Sequence, residues 1–279
     1  MKKIMKKLTI GLGLLTLLTA CGSPEKELTV ISREEGSGTR SAFVELVGIV
    51  DEDKNDITTQ EAIIQNNTEA VMTAIAGDEN SIGYISLGSL GDNVKALKID
   101  GVEANGKNVA DGSYKISRPF NIVTNVEIDA VTQDFINFVL SSEGQKIVED
   151  SGYIKSVEEA KEFKSDNSEG NISIAGSSSV TPVMEKLVEG YTKVNSKVKI
   201  QVNMTDSTSG IQSVNDGIAQ IGMVSRELKD SEKSFKNTVI ALDGIAVIVN
   251  RSNEVNDLKL EDIKKIYSGE VTSWDELTK

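Results

Sequence analysis

The stretch VISREEGSGTRSAF, residues 30–43, decides how the chain is read. A short apolar run breaks into Gly36-Ser37-Gly38-Thr39-Arg40, and apolar residues return at Ala42, Phe43, Leu46 and Val47 with helical spacing. Strand, glycine turn and helix in that order present backbone N–H groups and hydroxyls to an anion. Two further turns have the same character, AGSSSVTP at 175–182 and TDSTSGIQS at 205–213. Each stands before a predicted helix, and AGSSSVTP, like the first turn, directly follows a predicted strand. One such turn is an ordinary loop, since glycine and serine are common there. Three that converge would surround an oxyanion with donors and need no bulk cation.

Working outward, short β-branched runs alternate with amphipathic helical spacing, which is the pattern of an α/β fold. Strands are predicted at ELTVIS (27–32), SIGYIS (81–86), ISIAG (172–176) and VKIQVNM (198–204). Long extended segments are predicted at 112–125, 218–225 and 239–250. Helices are expected over 40–47, over 68–77 with Gly77 as its C-terminal cap, and over 132–152 with a break near Ser141-Ser142 and a stop at Gly152. Further helices are expected over 180–194, with Pro182 in its first turn, over 211–217, and over 260–269, ended by Gly269. Residues 161–170 are polar and charged and read as a linker.

Composition narrows the chemistry. The 279 residues suffice for one large domain or two modest lobes. Lys2, Lys3, Lys6 and Lys7 precede an apolar run from Leu8 to Ala20 that is short for a bilayer span, so residues 1–20 read as a signal peptide. It closes on Leu18-Thr19-Ala20-Cys21, which resembles a bacterial lipobox, where the cysteine becomes an acylated N-terminus; the alternative is a secretory signal with a chance cysteine. Residues 21–27 would then be a tether. Cys21 is the only cysteine, so no intramolecular disulfide forms.

The net charge of −13 becomes −17 without the four lysines of residues 1–20, which argues against a nucleic-acid partner. Any anion must therefore be held by local donors rather than a global field. With no histidine, Ser-His-Asp and Cys-His catalysis and most zinc and iron sites are excluded. Ser177-Ser178-Ser179 has no usual base, and no Gly-x-Ser-x-Gly elbow occurs. No metal site, cofactor or catalytic residue is expected.

Taken together, residues 172–191, 207–228, 263–277, 33–43 and 81–90 resemble the substrate-binding lipoprotein of the bacterial phosphate ABC importer. The resemblance covers nearly everything from Leu28 to Leu277 except the linker. It implies a two-lobed periplasmic-binding-protein-like fold of type II, with phosphate in the cleft between lobes. It also implies delivery to ABC permease and ATPase subunits, and a monomer held by palmitate or a similar lipid on the extracytoplasmic face of the cell membrane. Carried over by motif, the phosphate ligands are Ser178 and Ser179 from one turn, Ser209 from the second, and Arg33, Ser37, Gly38 and Thr39 from the third. Arg33 can offer a planar fork to two oxygens, with Glu35 expected to hold it, while Arg40 reads as a surface residue.

Arg226, also carried over as a phosphate ligand, stands where some family members have an aspartate that accepts the proton of monohydrogen phosphate. A second arginine there strengthens anion binding but removes that acceptor, for which Asp206 or Glu34 could serve; the alternative for Arg226 is an ion pair with Glu227 or another surface carboxylate. The pieces also stand in an unusual order, with the GSGTR half ahead of the AGSSSV half, so the sequence looks circularly permuted. A gene-model fragment or a rearranged duplication is the alternative. The expected lobes are 28–117 with 249–279 (lobe B) and 118–248 (lobe A, with the bridge 161–170), the two chain ends lying together. Rival readings are a binder of sulfate or arsenate, a phosphoryl-transfer enzyme, and a surface sensor or adhesin.

Overall fold

The computed structural model describes residues 27–277, so the leader, Cys21 and most of the tether lie outside the described residues. The first half of the chain runs β1 (Thr29–Arg33), α1 (Gly38–Val47), β2 (Ile63–Gln65), α2 (Thr68–Gly77), β3 (Ser81–Ser86), β4 (Val94–Ala96), β5 (Lys98–Ile99) and α3 (Gly106–Ala110). A long strand β6 (Ser117–Thr124) leads to α4 (Ala130–Val139), α5 (Ser142–Asp150) and β7 (Ile154–Lys155). Then follow β8 (Gly170–Ser177), α6 (Thr181–Val194), β9 (Val198–Thr205), α7 (Ser207–Asn215) and β10 (Ile221–Val224). The chain returns through β11 (Lys236–Asn250) to β12 (Asp257–Leu258) and α8 (Leu260–Ser268). Among the described residues no helix is long and apolar enough to cross a membrane.

The strand order β2-β1-β3-β11-β6-β10-β8-β9 reads the same way from either end. On each side three parallel strands lie in the order second, first, third, followed by one antiparallel strand. The fold is thus two α/β lobes of like construction, joined where β6 and β11 run antiparallel. β11 serves both lobes. Its residues 236–244 pair with β6, and 245–249 pair with β3. It changes partner between Gly244 and Ile245, a few residues before the division at 248 read from the sequence.

Alternation along β11 explains how each sheet buries both faces. Ile245, Val247 and Val249 point into one core with Phe43, Tyr84, Ile263, Tyr267 and Trp274. Ala246 and Ile248 point into another with Val71, Met72 and Ile75 of α2. The second lobe repeats the scheme. Phe120, Ile174, Leu187 and Ile221 share a core on one face, and Val123, Ala175, Ile211 and Val224 share one on the other. Sheets covered on both faces read as near-continuous apolar runs, which is why 239–250 carried so strong a signal.

The two ends of the described chain meet. Leu28 N donates to Thr272 O at 2.8 Å, Glu27 bridges Ser273, and Trp274 is buried in the core that also holds Val30. Residues 161–170 form a strap over the outside of the other lobe. Ser142 N donates to Lys161 O, Phe163 packs edge-on against Phe138, and Ser165 Oγ and Asp166 N both donate to the buried Asp134 carboxylate.

Several boundaries move. α1 begins at Gly38 rather than Arg40, because Ser37 caps it and accepts from Arg40 N. α7 begins at Ser207, four residues before the predicted start, because Asp206 caps it. Gly77 is the last residue of α2 and the cap is Asp78 in extended conformation, so the expected glycine cap is absent there; Gly269 does end α8, with φ +80°.

Candidate anion-binding site

In α/β sheets the crevice lies beyond the carboxyl ends of parallel strands, where helices begin. Here β1, β2, β8 and β9 all end at the junction of the lobes, and the N-termini of α1, α2, α6 and α7 follow directly. Ser37, Asn67 and Asp206 cap α1, α2 and α7 with side-chain oxygens; α6 starts at Thr181-Pro182 with no side-chain cap. Four helix N-termini give the junction a positive local potential, which favours an anion without any surplus of basic residues.

Hydroxyls knit the two lobes together. Thr39 Oγ1 and Ser179 Oγ lie 2.8 Å apart, and Thr68 Oγ1 is 3.3 Å from Ser179 Oγ. Within the second lobe Ser177 Oγ donates to Ser225 Oγ at 2.9 Å, and Ser207 Oγ sits 3.4 Å from Ser225 Oγ. Gly36 O accepts from Thr208 N and Oγ1 across the cleft. The approach is close enough to need glycine. A Cβ on Gly38 would come within 2.2 Å of Ser207 Oγ and 2.7 Å of Ser225 Oγ, and Gly36 has φ +89°.

Arg33 brings a buried cation to the junction. It is 2% exposed, the end of β1, behind which Phe43 stacks on Tyr84 at 4.0 Å. Its Nε and Nη2 each donate at 2.7 Å to Glu34, and Nη2 also reaches Ser178 Oγ at 3.0 Å across the cleft. Nη1 is buried without a partner. An unpaired buried guanidinium N–H is costly unless a ligand meets it. The Arg33 carbonyl accepts from Arg40 Nη1, while Arg40 Nε pairs with Asp56. Burial works against the Asp56 carboxyl, but bonds from Thr58 and Arg40 outweigh it and hold it below its ordinary range.

Of the residues read from sequence, Arg33, Ser37, Gly38, Thr39, Ser178 and Ser179 come together at this junction. Two do not join them. Ser209 is exposed and spends its N–H and hydroxyl on Asp206, at 2.9 and 2.6 Å. Because α7 begins earlier than predicted, Ser207 takes the inward position. Arg226 is buried but turned onto Glu232, with contacts of 2.6 and 2.8 Å, and onto the Glu227 carbonyl. Glu34, not Glu35, holds Arg33: the left-handed Gly36 turns the chain so that Glu35 faces solvent. Asp206 is occupied as a cap.

Sequence reading missed Thr68, Ser207 and Ser225. One signal could have found them: each parallel strand of both lobes ends close to a serine or threonine, and Thr68 follows β2 as Ser207 follows β9. The assembled groups are hydrogen-bond donors of the kind an oxyanion accepts from. They are hydroxyls, N–H groups and one guanidinium, and among the described residues no cluster of three or more acidic, cysteine or histidine side chains could bind a metal.

Residues 18–143 and 162–279 match the PBP superfamily domain, and the chain belongs to that superfamily. Its relatives make the position within it narrower. The phosphate-binding protein PstS 2 of Streptococcus agalactiae serotype V is 49% identical over 279 residues, 97% of this chain and 95% of that one. The crystal structure of a phosphate ABC transporter, phosphate-binding protein from Streptococcus pneumoniae TIGR4 superposes with a TM-score of 0.73 at 46% identity, covering 90% of this chain and 100% of that one. The phosphate-binding protein PstS of Bacillus subtilis matches at 33% identity over 135 residues, 48% of this chain and 43% of that one.

Proposed function

We propose that this chain is the extracytoplasmic phosphate-binding component of an ABC importer, closing its two lobes over inorganic phosphate and handing it to membrane permease and ATPase subunits. The observation that carries the reading is the buried Arg33 fork, its Nη1 unpartnered, inside a ring of serine and threonine hydroxyls drawn from both lobes. Closure brings both walls onto one ion, so loaded and empty forms differ in shape. The names of the relatives from two streptococci support phosphate as the cargo. The chain works as a monomer and carries out no chemistry on its ligand. A lipid on Cys21 holds it to the outer face of the membrane.

The unusual order of the halves is read as a circular permutation. The break in the superfamily match at residues 144–161, just ahead of the strap, supports this, as does a match to the Bacillus subtilis relative over only about half of each chain. The nearly end-to-end match to the Streptococcus agalactiae relative speaks for an order shared with other chains, rather than an error in one.

The test is isothermal titration with phosphate, then sulfate and arsenate, with ATP hydrolysis assayed alongside. Tight phosphate binding without turnover is expected. Hydrolysis, or equal affinity for sulfate, would sink the assignment.

A further inference from the structure

The strands that join the lobes carry a buried ion pair that no motif announces. Arg118 on β6 stands directly opposite Asp243 on β11, and the two side chains are 2% and 1% exposed. Arg118 Nη2 donates to Asp243 Oδ2 at 3.1 Å, and Asp243 Oδ1 accepts from Gly88 N at 3.3 Å. The other arm of the guanidinium points toward the cleft. Nη1 donates at 2.9 Å to the carbonyl of Ser225, the residue whose hydroxyl lies against those of Ser177 and Ser207. Nε is buried without a partner. Arg33 and Arg118 are both 2% exposed, and burial pulls the Arg118 guanidinium below its ordinary value, with Asp243 opposing and Arg33 adding a smaller push the same way as burial.

A buried pair in a hinge is a poor device for stability, since desolvating both charges costs about as much as their attraction returns. Its placement suggests another use. Arg118 holds the backbone carbonyl of Ser225, whose hydroxyl belongs to the serine cluster; Asp243 bonds to Arg118 and to the Gly88 amide. We propose that Arg118 is a positioning residue for the anion: it fixes Ser225 in the hydroxyl cluster and acts as a second buried cation behind Arg33, with Asp243 setting how much of that charge the anion feels. This rests on the anion reading above and assigns to Arg118 the place that sequence gave to Arg226.

The two members of the pair then have opposite effects, which a purely structural pair would not. The experiment titrates inorganic phosphate into wild type, Asp243→Asn, Arg118→Lys and Arg118→Met. Each variant is also melted with and without phosphate, so that affinity is read as a ligand-dependent rise in Tm even where the fold is weakened. Asp243→Asn is expected to bind about three- to tenfold tighter than wild type while melting lower, because one opposing charge is removed at effective interior screening. Arg118→Met is expected to bind at least about tenfold weaker, since it leaves Asp243 uncompensated behind the anion, and Arg118→Lys should fall between. Should Arg118→Met fail to fold, Asp243→Asn decides alone. Phosphate binding by Asp243→Asn that is unchanged or weaker overturns the proposal. Failure of the wild type to bind phosphate would instead overturn the reading of the site.

Discussion

At the scale of single residues, the site rests on one guanidinium whose forks are divided between partners. Glu34 takes Nε and one hydrogen of Nη2, Ser178 takes the other, and Nη1 is left inward. Arg33→Ala should therefore cost on the order of 100-fold in phosphate affinity, the scale of losing a buried charge-assisted contact. Arg40→Ala should cost less than about tenfold, because it removes only a brace on the Arg33 carbonyl. Arg33→Lys should rescue in part, an ammonium having no planar fork. Calorimetric titration of the three variants checks this, and equal losses at Arg33 and Arg40 would move the cation to the wrong arginine. Sequence made the type of residue legible here, because three turns of glycine and hydroxyl residues recur ahead of helices, where one alone would be an ordinary loop. It could not tell Glu34 from Glu35, or Ser207 from Ser209. Those choices depend on the left-handed turn at Gly36 and on which of several adjacent capping residues starts α7.

At the scale of elements, helix N-termini have to approach within contact distance for the cleft to close. Gly38 at the first position of α1 meets Ser207 at the first position of α7 with no room for a methyl group. Gly38→Ala should leave the separate lobes folded, yet lower phosphate affinity more than about tenfold by holding the walls apart. Small-angle scattering with phosphate would show a radius that fails to contract as in wild type.

The segment after β10 offers a test in pH. Burial alone would raise the Glu232 carboxyl, but the bonds from Arg226 and the Lys229 amide outweigh it and lower it below its ordinary value. A carboxyl with a lowered folded pKa stabilises above its unfolded pKa, about 4.3, and that contribution is lost as pH falls through the folded value. The Tm difference between wild type and Glu232→Gln should thus be full near neutral pH and shrink as the pH drops below about 4. A difference that grows on acidification would contradict the sign. An ion pair for Arg226 was one of the readings open from sequence, but Glu232 as its partner was not visible, because the two meet through a short segment without periodicity. The main strands and helices, by contrast, were legible, since buried strands and amphipathic helices repeat in each lobe; β2, β4, β5, β7, β12 and α3 were not, being too short to show a period.

Across the whole molecule, an acidic protein that binds an anion must do so from within. A net charge of −13 repels phosphate at long range, while the donors act only at contact. Affinity should accordingly fall only modestly, by less than about threefold, between 0.05 and 0.5 M salt, because enclosed contacts lie inside the Debye length and out of reach of counter-ions. Calorimetry across that range would show a steep decline if the ion were instead held on an open surface. The order of the halves, proposed above to be a circular permutation, has its own test. Joining the ends that meet near Leu28 and Thr272 by a short loop, and opening the chain within residues 161–170, should give a protein that folds and binds phosphate within about tenfold of the original. Loss of folding would mean that the strap over Asp134 is integral rather than a bridge.

β11 pairs with both lobes, and this has a temporal consequence. The cores on either face of the β8-β10 sheet draw on residues between Phe120 and Ala241, one unbroken stretch. The core around Phe43 and Tyr84 instead waits for Ile263, Tyr267 and Trp274, about 180 to 230 residues downstream. During synthesis or secretion the middle of the chain can therefore consolidate first, while the segment around Phe43 stays unfinished until residues 263–274 have emerged. Arg33, Ser37 and Thr39 of the candidate site lie on that late half, so the cleft is assembled only after Ile263, Tyr267 and Trp274 join the core.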